Sequence, residues 1–96
     1  LHLGSDTSTE RVNSAEEFMV SLKKADRLPG WPKNAKGQLV VEKYSNSITF
    51  RCWKPGDFST FYHYEFTRTS KAASWKLQKA WRTNKKNRVI EKYPVP

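Results

Sequence analysis

Two kinds of hydrophobic spacing divide this chain. Between residues 14 and 25, Ala15, Phe18, Met19, Leu22 and Ala25 recur at helical intervals and form one apolar stripe on a helix of about three turns. Ser14-Ala15-Glu16-Glu17 has the form of a capping box, with the Ser14 hydroxyl and the Glu17 carboxylate each serving the other's backbone N–H. The helix is therefore expected over Ser14 to Ala25, ended by Pro29-Gly30. Residues 1–13 are polar, without periodicity, and read as a flexible lead-in to a single domain over 14–96. From residue 38 the spacing changes to strand-like runs: Gln38 to Tyr44, Ile48 to Trp53, Phe58 to Arg68, Trp75 to Thr83 and Arg88 to Tyr93. Ser45-Asn46-Ser47, Lys54-Pro55-Gly56-Asp57, Thr69 to Ser74 and Asn84-Lys85-Lys86-Asn87 separate them as turns. Leu28 to Gly37 is a crossing loop, with Trp31 as its anchor.

Register follows from those turns. A loop over 84–87 sets Trp81 opposite Ile90, and pairing Arg68 with Trp75 sets Phe66 opposite Leu77 and Tyr62 opposite Trp81. These place Tyr62, Phe66, Leu77, Trp81 and Ile90 on one buried face, against Phe18, Met19 and Leu22 of the helix. Pairing Trp53 with Phe58 would leave Ile48, Phe50 and Cys52 on the opposite side. A bulge, or a longer connection around Pro55-Gly56-Asp57, is needed to bring them onto the core face.

The layout is α+β: one amphipathic helix packed on a curved antiparallel sheet of four or five strands. It resembles the cystatin-like and NTF2-like folds, in which a sheet wraps a helix. Gln38-Leu39-Val40-Val41-Glu42 faintly resembles the cystatin inhibitory loop, but without its glycine and within strand-like sequence, and inhibition is not carried over.

Charge sharpens the picture. The net charge is +9, yet residues 1–30 hold four basic and five acidic side chains, while residues 31–96 hold fourteen and four. Arg68, Lys71, Lys76, Arg82, Lys85 and Lys86 are the candidate binding surface, a cationic side presented by the last two hairpins to phosphates or acidic polymers. Lys outnumbers Arg, which suits sequence-independent attraction better than base readout. Aromatics interleave with these charges, but Trp75, Trp81, Tyr62 and Phe66 are assigned to the core, which removes them as platforms for stacked bases.

Catalytic chemistry finds little support. Cys52 is the lone cysteine, so no intramolecular disulfide or cysteine metal cage can form. Cys52 and His63 are expected to lie roughly 10–13 Å apart along the sheet, too far for a thiol–imidazole pair. Glu42, Asp57, Glu65 and Glu91 are dispersed, without the pairing that acid–base work needs. Pro29-Gly30-Trp31-Pro32 matches a PxxP ligand formally, but a loop packed on its own domain accounts for the same residues. No apolar run is long enough to span a bilayer. The chain begins at Leu1, which reads as removal of an N-terminal piece, so export after processing is one expectation. The expected function is a small non-enzymatic binding module, without cofactor or metal, whose partner is a protein or an anionic polymer. Its alternatives are a nucleic-acid-binding domain using the basic hairpins and a small-ligand pocket between helix and sheet.

Overall fold

The computed structural model describes residues 3–32, 38–44 and 46–95. One helix, α1 (Leu3–Lys24), is followed by five strands, β1 (Gln38–Tyr44), β2 (Ser47–Cys52), β3 (Thr60–Thr67), β4 (Lys76–Asn84) and β5 (Val89–Tyr93). Each strand pairs antiparallel with the next, giving the sheet order β1-β2-β3-β4-β5. The α+β layout and the strand positions are as the sequence predicts. The crossing loop over residues 33–37 and the first residue of the turn after β1 lie outside the described residues.

The helix start differs from expectation. α1 begins at Leu3, so the lead-in is helical from that residue and Ser14 sits in the helix interior instead of capping it. Tertiary contacts override the local capping signal. Val12 extends the apolar stripe one turn further, packing partly buried against the core, and the Ser14 hydroxyl accepts the Trp75 indole N–H at 2.9 Å. The helix also ends earlier than the Pro-Gly pair requires. Arg27 N–H reaches Leu22 C=O at 2.9 Å and Asp26 N–H reaches Lys23 C=O at 3.1 Å, with Asp26 at φ 57°. This is a Schellman closure with an aspartate in the left-handed position that glycine usually fills.

α1 lies on one face of the sheet. Ala15 and Met19 are buried there with Ile48, Phe50 and Cys52 of β2, Tyr62, Tyr64 and Phe66 of β3, and Ala80 of β4. Phe18 and Leu22 flank this core, and the Phe18 ring meets Phe66 edge-on at 5.5 Å. The β2–β3 ladder explains the β2 contribution: Ile48 faces Phe66, Phe50 faces Tyr64 and Cys52 faces Tyr62. Residues 53–59 make the longer connection that the core required. Within it, Asp57 N–H closes onto Lys54 C=O at 3.1 Å with Gly56 at φ 78°, the conformation a Pro-Gly turn presets. Phe58, expected as the first residue of the third strand, instead lies in this connection and is 72% exposed.

Two bulges correct the rest of the expected register. Phe66 pairs with Leu77, but the ladder then skips Gln78, so Glu65 faces Lys79, Tyr64 faces Ala80, His63 faces Trp81 and Tyr62 faces Arg82. A one-residue slip exchanges the faces of everything beyond it. Trp81 thereby leaves the core face and Ala80 takes its place. A second slip sets Thr83 opposite Val89 and Arg82 opposite Glu91, passing over Ile90, which is 49% exposed. Trp81 and Ile90 therefore do not belong to the core beneath α1.

The segment after α1 is fastened to the same side. Leu28 and Pro32 are buried, the Tyr64 hydroxyl donates to Pro29 C=O at 2.9 Å, and Trp31 rests 5.7 Å from the Tyr64 ring. Gly30 adopts φ 69° against the face of the Tyr93 ring, where a side chain has no space. The PxxP match is thus a loop packed on its own domain, with Trp31 as the anchor the sequence predicts.

Candidate anion-binding face

The six basic residues singled out from the sequence do not form one surface. Lys76 pairs with Thr67 on the face opposite α1, whereas Arg82, beyond the bulge at Gln78, pairs with Tyr62 on the helix face. Arg82 donates through Nη2 to Glu91 at 2.9 Å. Arg68 is also tied into the fold: its guanidinium lies 4.3 Å from the centre of the Trp75 ring and its Nε donates to Asn46 Oδ1 at 3.2 Å. Lys71 reaches Glu10 on α1 at 3.6 Å. Lys76, Lys85 and Lys86 are exposed. Lys85 and Lys86 ride on a turn held by Asn84, whose Oδ1 accepts the N–H groups of Lys86 and Arg88 at 2.9 and 3.0 Å.

The more organised constellation lies on the outer face, the side of the sheet away from α1. The alternation of β2 and β3 sends Thr49, Arg51, Phe61, His63 and Glu65 there, and the bulges add Lys79, Trp81 and Thr83 from β4 and Val89 and Lys92 from β5. Although no helix among the described residues covers this face, His63 and Thr83 are only 4% and 1% exposed. Their side chains satisfy each other, His63 Nε2 to Thr83 Oγ1 at 2.8 Å. The indole of Trp81 stacks on the His63 ring, centroids 5.0 Å apart and planes inclined by 6°. Beside them the Arg51 guanidinium lies 4.8 Å from the centre of the Phe61 ring, which forms a T-shaped pair with Trp53 at a centroid separation of 6.3 Å.

The electrostatics of the stack are set by desolvation. Burial, and then the neighbouring Arg51 charge, press the His63 pKa down from 6.5 to about 4, so the imidazole is neutral at neutral pH. Cys52 lies on the other side of the sheet, its thiol directed at Tyr62 C=O at 3.7 Å, and burial pushes its pKa up to about 12. A thiolate is therefore scarce, and the sheet itself separates it from His63. Among the described residues no cluster of His, Cys, Asp or Glu could hold a metal ion, and no helix is long and apolar enough to cross a membrane.

Recesses adjoin these elements. One of about 520 Å³ opens beside Trp81 and is lined by Glu65, Lys79, Val89 and Lys92 on the outer face, reaching Tyr93 and Val95. Another, about 360 Å³, is a cleft between helix and sheet with Phe18, Leu22, Trp75, Leu77 and Val95 as its apolar lining and Arg27 and Lys76 among its polar residues. The chain matches no family model, no curated protein and no solved structure.

Lys79, Lys92, Arg51 and the His63–Trp81 stack were not among the residues marked from the sequence. One signal pointed to them. Strict alternation through β4 would bury Lys79 between Leu77 and Trp81, and a single bulge at Gln78 removes that conflict by turning Lys79 outward and Ala80 inward.

Proposed function

We propose that the protein is a non-enzymatic binding module whose partner is an anionic polymer, engaged by the outer face of the sheet. The observation that carries this reading is the recess beside Trp81, bordered by the exposed Lys79 and Lys92 on a rigid ladder. Its volume falls within the roughly 300–1,000 Å³ usual for ligand sites. Arg51 and Lys76 extend the positive charge across the same face, with Glu65 as the acidic residue among them. The net charge of +9 supplies the long-range attraction.

The test is binding of heparin and of single-stranded oligonucleotides across a series of salt concentrations, with wild type and the Lys79→Gln/Lys92→Gln pair. Affinity should fall steeply as salt rises, and the double variant should bind oligonucleotide with a salt slope shallower by about 0.7 per lost phosphate contact. Absence of binding to either polymer at low salt overturns the reading. The cleft beside α1 favours a second one, an amphipathic carboxylate with its chain against Phe18, Leu22 and Leu77 and its head toward Arg27. Medium-chain fatty acids would then raise the melting temperature of wild type but not of Leu77→Gln.

A further inference from the structure

We propose that the polymer is a single-stranded nucleic acid, with one unpaired base stacked on the Trp81 ring face that His63 leaves open and Lys79 and Lys92 on the flanking phosphates. This inference rests on the reading of the outer face as anion-binding and adds the class of polymer.

The geometry of the stack carries it. His63 on β3, Trp81 on β4 and Lys92 on β5 occupy one row of the ladder, because His63 pairs with Trp81 and Trp81 with Lys92. Since His63 lies parallel to the indole at 5.0 Å, the covered ring face is the one toward β3. The other is directed toward β5, where the recess lies between Trp81, Val89 and Lys92. The indole is held in place from behind, because His63 is buried and hydrogen-bonded to Thr83. An aromatic ring backed on one side and open on the other is the platform on which bases stack in single strands.

The cations fit the same occupant. Lys79 and Lys92 are exposed, and both line the recess that Trp81 also lines. Their long, flexible stems suit phosphates on either side of a stacked base. Phe61 under the Arg51 guanidinium is a diagonal neighbour of Trp81 across the β3–β4 ladder, roughly 7–8 Å away. Guanidinium planes also receive unpaired bases. In a duplex, the bases are stacked on one another and none is presented to the recess. An acidic protein segment supplies charge but no flat ring to match the indole. Glu65 in the same recess would accept a hydrogen bond from an exocyclic amino group, which favours adenine and cytosine over thymine and uracil.

The experiment compares five polymers at one moderate salt concentration: a single-stranded DNA or RNA 12-mer, an abasic oligomer of the same length, the corresponding duplex, heparin and polyglutamate. The expected order places the single strand about tenfold or more above the abasic oligomer, the scale of one base–aromatic stack, at the same salt slope. Trp81→Leu keeps an apolar side chain without an aromatic face and should bring single-strand binding down to the abasic level, a larger fold-loss than it causes for heparin. Because the abasic comparison uses the wild-type protein, it decides the matter even if Trp81→Leu folds poorly. Equal affinity for abasic and base-bearing strands, a duplex bound as tightly as the single strand, or stronger binding of polyglutamate than of the 12-mer each overturns the inference. Binding to heparin with no preference for bases overturns this inference alone; binding to no polyanion removes the underlying reading as well.

Discussion

The two faces of the sheet hold aromatic side chains in opposite environments. Beneath α1, Phe50, Tyr64 and Phe66 are buried among apolar neighbours, and Tyr64 points its hydroxyl at a loop carbonyl. On the outer face, Trp81, Phe61 and Trp53 stay partly exposed, each paired with another ring or a cation. The first arrangement removes rings from water and yields stability; the second leaves ring surface and positive charge available to something else. The same residue types thus mean different things on the two sides of one ladder, and a bulge of one residue decides which side Trp81 joins.

The largest expected difference between the faces is in truncation. Phe66→Ala removes a fully buried ring that touches both Phe18 and Phe50, and should cost about 3–5 kcal/mol. Trp81→Ala removes a larger but only partly buried ring whose main partner is His63, and should cost about 1–2 kcal/mol. Denaturant unfolding of both variants measures this. Equal losses would mean that the outer face is a second core and not a binding surface.

Legibility in the sequence followed the same division. The helix-face contribution of β2 and β3 could be read because Ile48, Phe50, Cys52, Tyr62, Tyr64 and Phe66 alternate without interruption, and their agreement demanded a long connection near Pro55-Gly56. The helix start could not. Ser14 and Glu17 make a good local cap, while the hold that Trp75 takes on Ser14 comes from sixty-one residues away and leaves no local trace. On β4 and β5 a period-two reading fails at Gln78 and Ile90, since a bulge carries no fixed residue type. For that reason alternation alone groups Arg82 with Lys76 and does not bring Lys79, Trp81 and Lys92 together. The cationic residues that the sequence groups together come from both faces of the sheet.

The second test uses pH to separate the faces. His63 titrates near 4 in the fold against 6.5 when exposed, so protonation favours the unfolded chain. Stability from this residue is complete above pH 6.5 and is lost progressively as pH falls from about 6.5 to about 4, amounting to about 2–3 kcal/mol. Unfolding free energies measured between pH 7 and 5 should therefore decline in wild type and stay flatter in His63→Gln. An identical slope in the two proteins would show that His63 is solvated, and that the Trp81 stack is not held from behind.

A third test addresses the seam that fastens the helix side. Gly30 has a left-handed backbone and lies against Tyr93, so Gly30→Ala meets both a conformational cost and a collision, together about 2 kcal/mol. Displacing Tyr93 should also disturb Val95, which packs on the core and borders both recesses. Thermal melting reads the loss, and Tyr93→Ala combined with Gly30→Ala should cost less than the sum of the two single changes, because the collision is gone. Full additivity would place Gly30 away from that ring.

The smallest effect is the most telling about the outer face. Lys79 and Lys92 are exposed side chains on paired strands, and replacing both by Gln keeps the backbone ladder and most of each stem. Stability should remain within about 0.5 kcal/mol of wild type, the usual range for solvated surface changes. The opposite-charge match of Lys79 with Glu65 across the ladder contributes only ~0.2–1 kcal/mol to that total. The Phe66→Ala variant, by contrast, should lose stability while the fraction that remains folded keeps its affinity for polyanions. If the Lys79→Gln/Lys92→Gln protein is instead destabilised by as much as Trp81→Ala, these lysines serve the fold through their stems, and the division between a face that stabilises and a face that binds fails.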